Sequence, residues 1–207
     1  MNAPLRIDIF FDYVCPWCYI TEMALERLAD RYDLALALRA FPLWPQGMAH
    51  LSAAENERLR QRTHAADAHA IQAARAWLGI EGMSLGPWGV NTVDAHIGAG
   101  FAAAHDRLQA YQHALFAAQF HRNLRLDDRA TLLALAVEAG LPADAFEAAL
   151  ADPVYRERVR LDQEQAHRLG ITGVPALILD RRYLLIGAQS PTTLAAVIEH
   201  VLAEKAE

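Results

Sequence analysis

The sequence predicts an α/β chain in which a β-α-β opening and a β-β-α ending are separated by a large all-helical insertion. Three observations carry this. Strand-like runs occupy residues 6–11, 34–41, 174–179 and 182–186, near the two ends of the chain. Between about Ser52 and Leu169, apolar positions recur at helical spacing, broken by Gly and Pro. Alanine supplies much of the 54% hydrophobic content, which favours helix over strand. Residues 1–48 and 170–207 are therefore read as one discontinuous domain, and residues 49–169 as the insertion.

Each element has a local reason. Residues 6–11 are short, β-branched and aromatic. Apolar positions Ile20, Met23, Ala24, Leu25 and Leu28 then predict a helix over 19–31. Residues 34–41 alternate as a second strand, ended by Pro42 and Pro45. Ser52 with Glu55 forms a capping box that opens a long helix to about Trp77. A glycine-rich loop over 79–89 follows, then helices over 92–104 and 106–120. Asp127 or Asp128 caps the next helix, which stops at Gly140. Pro142 and Pro153 start two more. Residues 174–179 and 182–186, split by Asp180-Arg181, read as a hairpin, and Ser190-Pro191 opens the last helix.

A length of 207 residues favours one domain, or one domain carrying a large insertion. A formal net charge of −6 without a Lys/Arg cluster predicts no nucleic-acid partner and no attraction to an anionic membrane. The basic run over 156–160 reads as a solvated helix face. The first residues lack the pattern of a secretory signal, and no run approaches the roughly 18 apolar residues of a membrane span. A soluble, cytoplasmic protein is expected.

Both cysteines fall in one window, Cys15-Pro16-Trp17-Cys18, where a strand passes into a helix. A structural disulfide framework would scatter its cysteines, and so small a loop would constrain little of the unfolded chain. Reversible chemistry explains the pairing better. The thiolate is the attacking species in disulfide exchange, and the start of a helix favours negative charge. Cys15 is read as the nucleophile and Cys18, one turn on, as the thiol that resolves the mixed disulfide. Pro16 suits a first helical turn, and Trp17 gives the loop an apolar surface. The reading requires that the two cysteine side chains not be buried away from solvent and that the sulfurs lie within bridging distance. Metal binding is not expected: His64 and His69 come nearest to ligand spacing but lie on the insertion, away from the cysteines in sequence. Tyr19 after Cys18 excludes a haem-attachment motif.

Gly170-Ile171-Thr172-Gly173-Val174-Pro175 is the second element of interest. A cis Val174–Pro175 bond would present the Val174 N–H and C=O to an extended substrate rather than to the sheet. Asp12, three residues before Cys15, could shuttle a proton or cap a turn, and the turn is the preferred reading. His96 reads first as a packing residue on a helix. Trp44, Trp77 and Trp88 could wall a substrate groove, and Trp88, in a Gly-Pro-Trp-Gly loop, is the least core-like of them.

These pieces resemble the DsbA family of thioredoxin-like oxidoreductases, and within it the FrnE-like cytoplasmic branch. The likeness rests on Asp12-x-x-Cys15-Pro16-Trp17-Cys18-Tyr19, Asn91-Thr92-x-x-Ala95-His96, Gly170-x-x-Gly173-Val174-Pro175 and Gly187-Ala188-Gln189. It implies a thioredoxin-like fold with a helical insertion capping the active site. It implies Cys15, Cys18 and Pro175 as the catalytic set, with Pro175 cis and His96 near the mouth of the site. Disulfide- or dithiol-containing proteins or small molecules are the expected substrates, with no bound cofactor; a homodimer is a compatible assembly. The superfamily also holds glutathione-dependent kappa-class transferases and 2-hydroxychromene-2-carboxylate isomerases, which typically carry serine at the nucleophile position. The cysteine pair argues for dithiol chemistry here, while glutathione stays open as a co-substrate. A chaperone-like binding module is the non-enzymatic alternative.

Overall fold

The computed structural model describes residues 4–205. The chain runs β1 (Leu5–Phe11), α1 (Pro16–Ala29), β2 (Leu34–Ala40), α2 (Ala53–Leu78), α3 (Val93–Ala104), α4 (Leu108–Phe120), α5 (Arg129–Glu138), α6 (Ala143–Ala151), α7 (Pro153–Arg168), β3 (Ala176–Leu179), β4 (Tyr183–Ile186) and α8 (Pro191–Lys205). The sheet order is β2-β1-β3-β4. β1 is parallel to β2 and antiparallel to β3, and β3 and β4 form the hairpin. Strands from both ends of the chain thus share one sheet, and six helices intervene between β2 and β3.

Side chains alternate across β1 and divide the packing. Leu5, Ile7, Ile9 and Phe11 join the main core, while Phe10 meets Ala166, Ile171 and Ala176 on the other face. That second face is covered by α7. α7, which lies within residues 49–169, packs on the sheet as well as on α3. A polar staple holds it there: Arg39 of β2 donates to Asp8 at 2.8 Å and to Asp162 of α7 at 3.3 Å. The Ala40 N–H donates to the other Asp162 oxygen at 3.0 Å. On the other face α1 packs against α2 and α8, and α3 bridges α4, α6 and α7.

The helix starts follow their capping residues. Ser52 and Glu55 form the reciprocal capping box, and α2 ends at Gly79 with φ +63°. Asp128, Asp152 and Ser190 accept from the backbone N–H groups of Thr131, Val154 and Thr193. Three local expectations shift. The first helix starts at Pro16 rather than 19, which puts Cys15 at its N-cap. Asp106 takes a left-handed φ of 55°, so α4 begins only at Leu108. The third strand begins at Ala176, after Pro175, which has no N–H to give a ladder. No described helix is long and apolar enough to cross a membrane.

Candidate active site

The turn that precedes α1 presents the cysteines. The Cys15 N–H donates to the Asp12 carbonyl at 3.2 Å, and the Cys15 carbonyl accepts from Cys18 N–H at 3.0 Å and Tyr19 N–H at 3.2 Å. Pro16 occupies the first helical position, where a missing N–H costs nothing. Both thiols are free. Cys18 is 2% exposed and Cys15 6%. Cys15, unlike Cys18, lines a cavity of about 270 Å³ that opens over the motif. Burial pushes the Cys18 thiol well above its ordinary range, and the neighbouring Cys15 pushes the same way. Cys18 is therefore kept as a thiol. The pair is asymmetric: one sulfur faces the cavity and the other is held protonated behind it.

Pro175 stands across from the motif. The Val174–Pro175 peptide bond is cis. The Cys15 thiol donates to the Val174 carbonyl at 3.6 Å. Among the described residues the Val174 N–H has no partner. Trp17, Pro16 and Val174 line the same cavity as Cys15, and so does Trp88. Trp88 packs edge-on against Trp44, with ring centroids 5.3 Å apart, and its indole N–H donates to Asn56 at 2.7 Å. Trp77 lies behind Trp17 at 6.5 Å and does not line the cavity.

A family model described as DSBA-like thioredoxin domain matches residues 6–199. The chain belongs to the DSBA-like thioredoxin domain family. It is similar to the uncharacterized protein YwbO of Bacillus subtilis (strain 168), with 27% identity over 180 residues, 84% of this chain and 86% of that one. It is similar in structure to the probable DsbA oxidoreductase SCO1869 from Streptomyces coelicolor, with TM-score 0.80 and 28% identity over 97% of this chain and 91% of that one. A 2-hydroxychromene-2-carboxylate isomerase shares the fold, with TM-score 0.78 and 22% identity over 97% of this chain and 98% of that one. The α/β, thioredoxin-like class with large helical content holds for this DSBA-like domain.

In this DSBA-like domain Asp12 sits differently from its preferred reading, while His96 takes its packing reading and not the position near the mouth that the resemblance implies. The turn at Asp12 exists, but the backbone carbonyl makes it. The carboxylate, fully buried, instead accepts from the Leu43 N–H at 2.7 Å, the Thr92 hydroxyl at 2.6 Å and His96 Nε2 at 3.4 Å. It fastens the segment after β2 and the start of α3 to the cysteine turn. That also explains Asn91-Thr92: Thr92 makes no cap bond because its hydroxyl goes to Asp12, and Asn91 caps Val93 N–H and donates to the Pro45 carbonyl. His96 lies behind the motif and outside the cavity over Cys15. Its side chain is 2% exposed, packed 4.7 Å from the Tyr13 ring and 5.1 Å from Phe11.

Sequence reasoning missed the contribution of α2. Thr63, His64 and Asp67 all face the cavity, a spacing that puts them on one helix face. Leu43, Leu85 and Pro87 complete the walls. Among the described residues one trio has metal-ligand atoms close together, Glu22, Glu26 and His113, within 4.8 Å. It lies outside the cavity, and His113 and Glu26 already hydrogen-bond each other at 2.5 Å.

Glu22 follows Cys18 by one helical turn. Burial pushes its carboxyl up to about 8, the nearby Gln112 amide opposes this and Glu26 adds to it. In the unfolded chain the group ionises near 4.5. The folded state binds the proton more tightly, so the contribution is full below about 4.5 and is lost as pH rises through about 8. Glu22→Gln is expected to stabilise the protein at pH 8.5 by about 1–2 kcal/mol and to change little at pH 4.5. Urea midpoints of both proteins at the two pH values check this, and an equal effect at both contradicts it.

Proposed function

We propose that the chain is a thiol–disulfide oxidoreductase that exchanges disulfides with protein or small-molecule dithiols through Cys15 and Cys18. The observation that carries this is the asymmetric pair: a cavity-facing Cys15 at a helix N-cap, one helical turn from a buried Cys18 held as a thiol. Membership of the DSBA-like family supports a redox role.

The reduced protein acts in two steps. The Cys15 thiolate attacks one sulfur of a substrate disulfide. A Cys15–substrate bond forms, the substrate S–S bond breaks, and the departing thiolate takes a proton from solvent. Cys18 then gives up its proton and attacks the Cys15 sulfur, closing Cys15–Cys18 and expelling the second substrate thiolate. Two electrons pass from the pair to the substrate. The reverse sequence oxidises a substrate dithiol. The Val174 N–H and C=O give an extended substrate main chain somewhere to pair beside the sulfur, while Trp17 and Trp88 offer apolar walls. Neither direction requires a bound cofactor, since the cysteines carry the electrons.

The test is turnover of insulin disulfides with an external dithiol, and oxidation of a model dithiol peptide by the disulfide form. Activity in either direction supports the reading. A purified, fully reducible protein that is inactive in both directions, yet protects unfolded clients equally well after both cysteines are replaced, would instead establish a binding module.

A further inference from the structure

The cavity over Cys15 has an unequal charge. Asp67 on α2 is a half-buried carboxyl on its wall. No lysine or arginine is among the described residues that line it. The one basic side chain there is His64, whose ring meets Trp88 edge-on at 5.8 Å. Arg125 approaches the Trp88 carbonyl from outside, but its charge is spent on Asp127 at 2.6 Å. Burial raises the Asp67 pKa, while His64 and hydrogen bonding from Trp17 act to lower it. A carboxylate in a confined space attracts a cation more strongly than one in bulk water. Indole faces favour cations as well, and Trp17, Trp44 and Trp88 stand around the same space.

We propose that this groove selects disulfide-bearing peptide segments that carry a lysine or arginine beside the reactive cysteine, with Asp67 as counter-charge. The inference rests on the dithiol reading above and names its substrate class. A peptide is the occupant because the unpartnered Val174 N–H and its carbonyl suit an extended main chain next to Cys15. The same charge pattern disfavours acidic thiols. Glutathione disulfide, with four carboxylates against two ammonium groups, would bring net negative charge to a wall lined by no lysine or arginine. The formal net charge of −6 acts in the same direction at longer range.

Three synthetic peptides test this, each with one disulfide and differing only in Lys, Gln or Glu beside the same cysteine. The reduced protein is mixed with each in a single turnover, and its own oxidation is followed by tryptophan fluorescence. At low ionic strength the Lys peptide is expected to react about tenfold faster than the Glu peptide, with Gln between them and glutathione disulfide slower than Lys. The Lys-to-Glu ratio should shrink as salt is raised. Asp67→Asn should remove most of that ratio, and Asp67→Lys should reverse it. Equal rates for Lys and Glu in the unaltered protein, or a ratio that survives Asp67→Asn, overturns the inference and leaves the dithiol reading standing. If no peptide reacts faster than with Cys15→Ser protein, both fall together. Asp67→Lys serves as the second variant should Asp67→Asn fail to fold, since the net charge alone would also make the ratio fall with salt.

Discussion

Cys15→Ser is expected to abolish exchange, with turnover falling on the order of 10⁴-fold or more, as for other enzymes that lose their nucleophile. A serine hydroxyl is not ionised at neutral pH and cannot form the mixed disulfide. The buried Cys18 cannot take over, because it is 2% exposed and burial holds it as a thiol. Cys18→Ser should behave differently. Its Cys15 can still attack, but nothing resolves the product, so a stable Cys15–substrate disulfide should accumulate. Intact-mass analysis after incubation with an excess of a peptide disulfide separates the two variants. An adduct of one peptide mass is expected on Cys18→Ser and none on Cys15→Ser. An adduct on Cys18 in the Cys15→Ser protein would reverse the assigned roles.

The second large effect is expected at Asp12. Asp12→Ala strips the acceptor from the Leu43 N–H and the Thr92 hydroxyl, and removes the partner of His96. Thr92 and His96 are buried and cannot turn to water. Each orphaned donor costs roughly 1–3 kcal/mol, so a total loss of about 3–5 kcal/mol is expected. The loss should also show as a loosened insertion, because these bonds tie the start of α3 to the cysteine turn. Asp12→Asn keeps one oxygen but presents an amide N–H₂ to a site of donors, and should fall between the two. Denaturant midpoints measure the stability. Amide exchange along α3 measures the tether, and protection there that is unchanged in Asp12→Ala would refute it.

The parts of the site visible in the sequence are those encoded by neighbours. Cys15 and Cys18 are one turn apart whatever the rest of the chain does, and Val174-Pro175 is a local backbone feature. The capping residues Ser52, Asp128 and Ser190 are legible for the same reason, since each bonds within three residues. The Asp12 carboxylate is the opposite case. Its partners lie 31, 80 and 84 residues away, so nothing beside it distinguishes a tether from a turn cap. Helical periodicity showed that α7 has an apolar side, but not that the side would meet Phe10 of the sheet. The Asp180-Arg181 turn is legible by length, although both residues take positive φ without a glycine. Asp67 carried no signal until the loop holding Trp88 folded against α2.

Because β1 takes β2 and β3 as its two neighbours, and Phe10 pairs with Ala176, the sheet cannot close until β3 has been made. During synthesis the Val174 carbonyl follows Cys15 by 159 residues, long after the walls from Leu43 to Trp88. The nascent thiols therefore pass through a period without the Val174 side of their cover, more open to any oxidant or foreign sulfur nearby. Long-range pairing of this kind folds slowly, because a large loop must close before the contacts form. Maturation yield should thus depend on the surroundings of the growing polypeptide as well as on its finished stability.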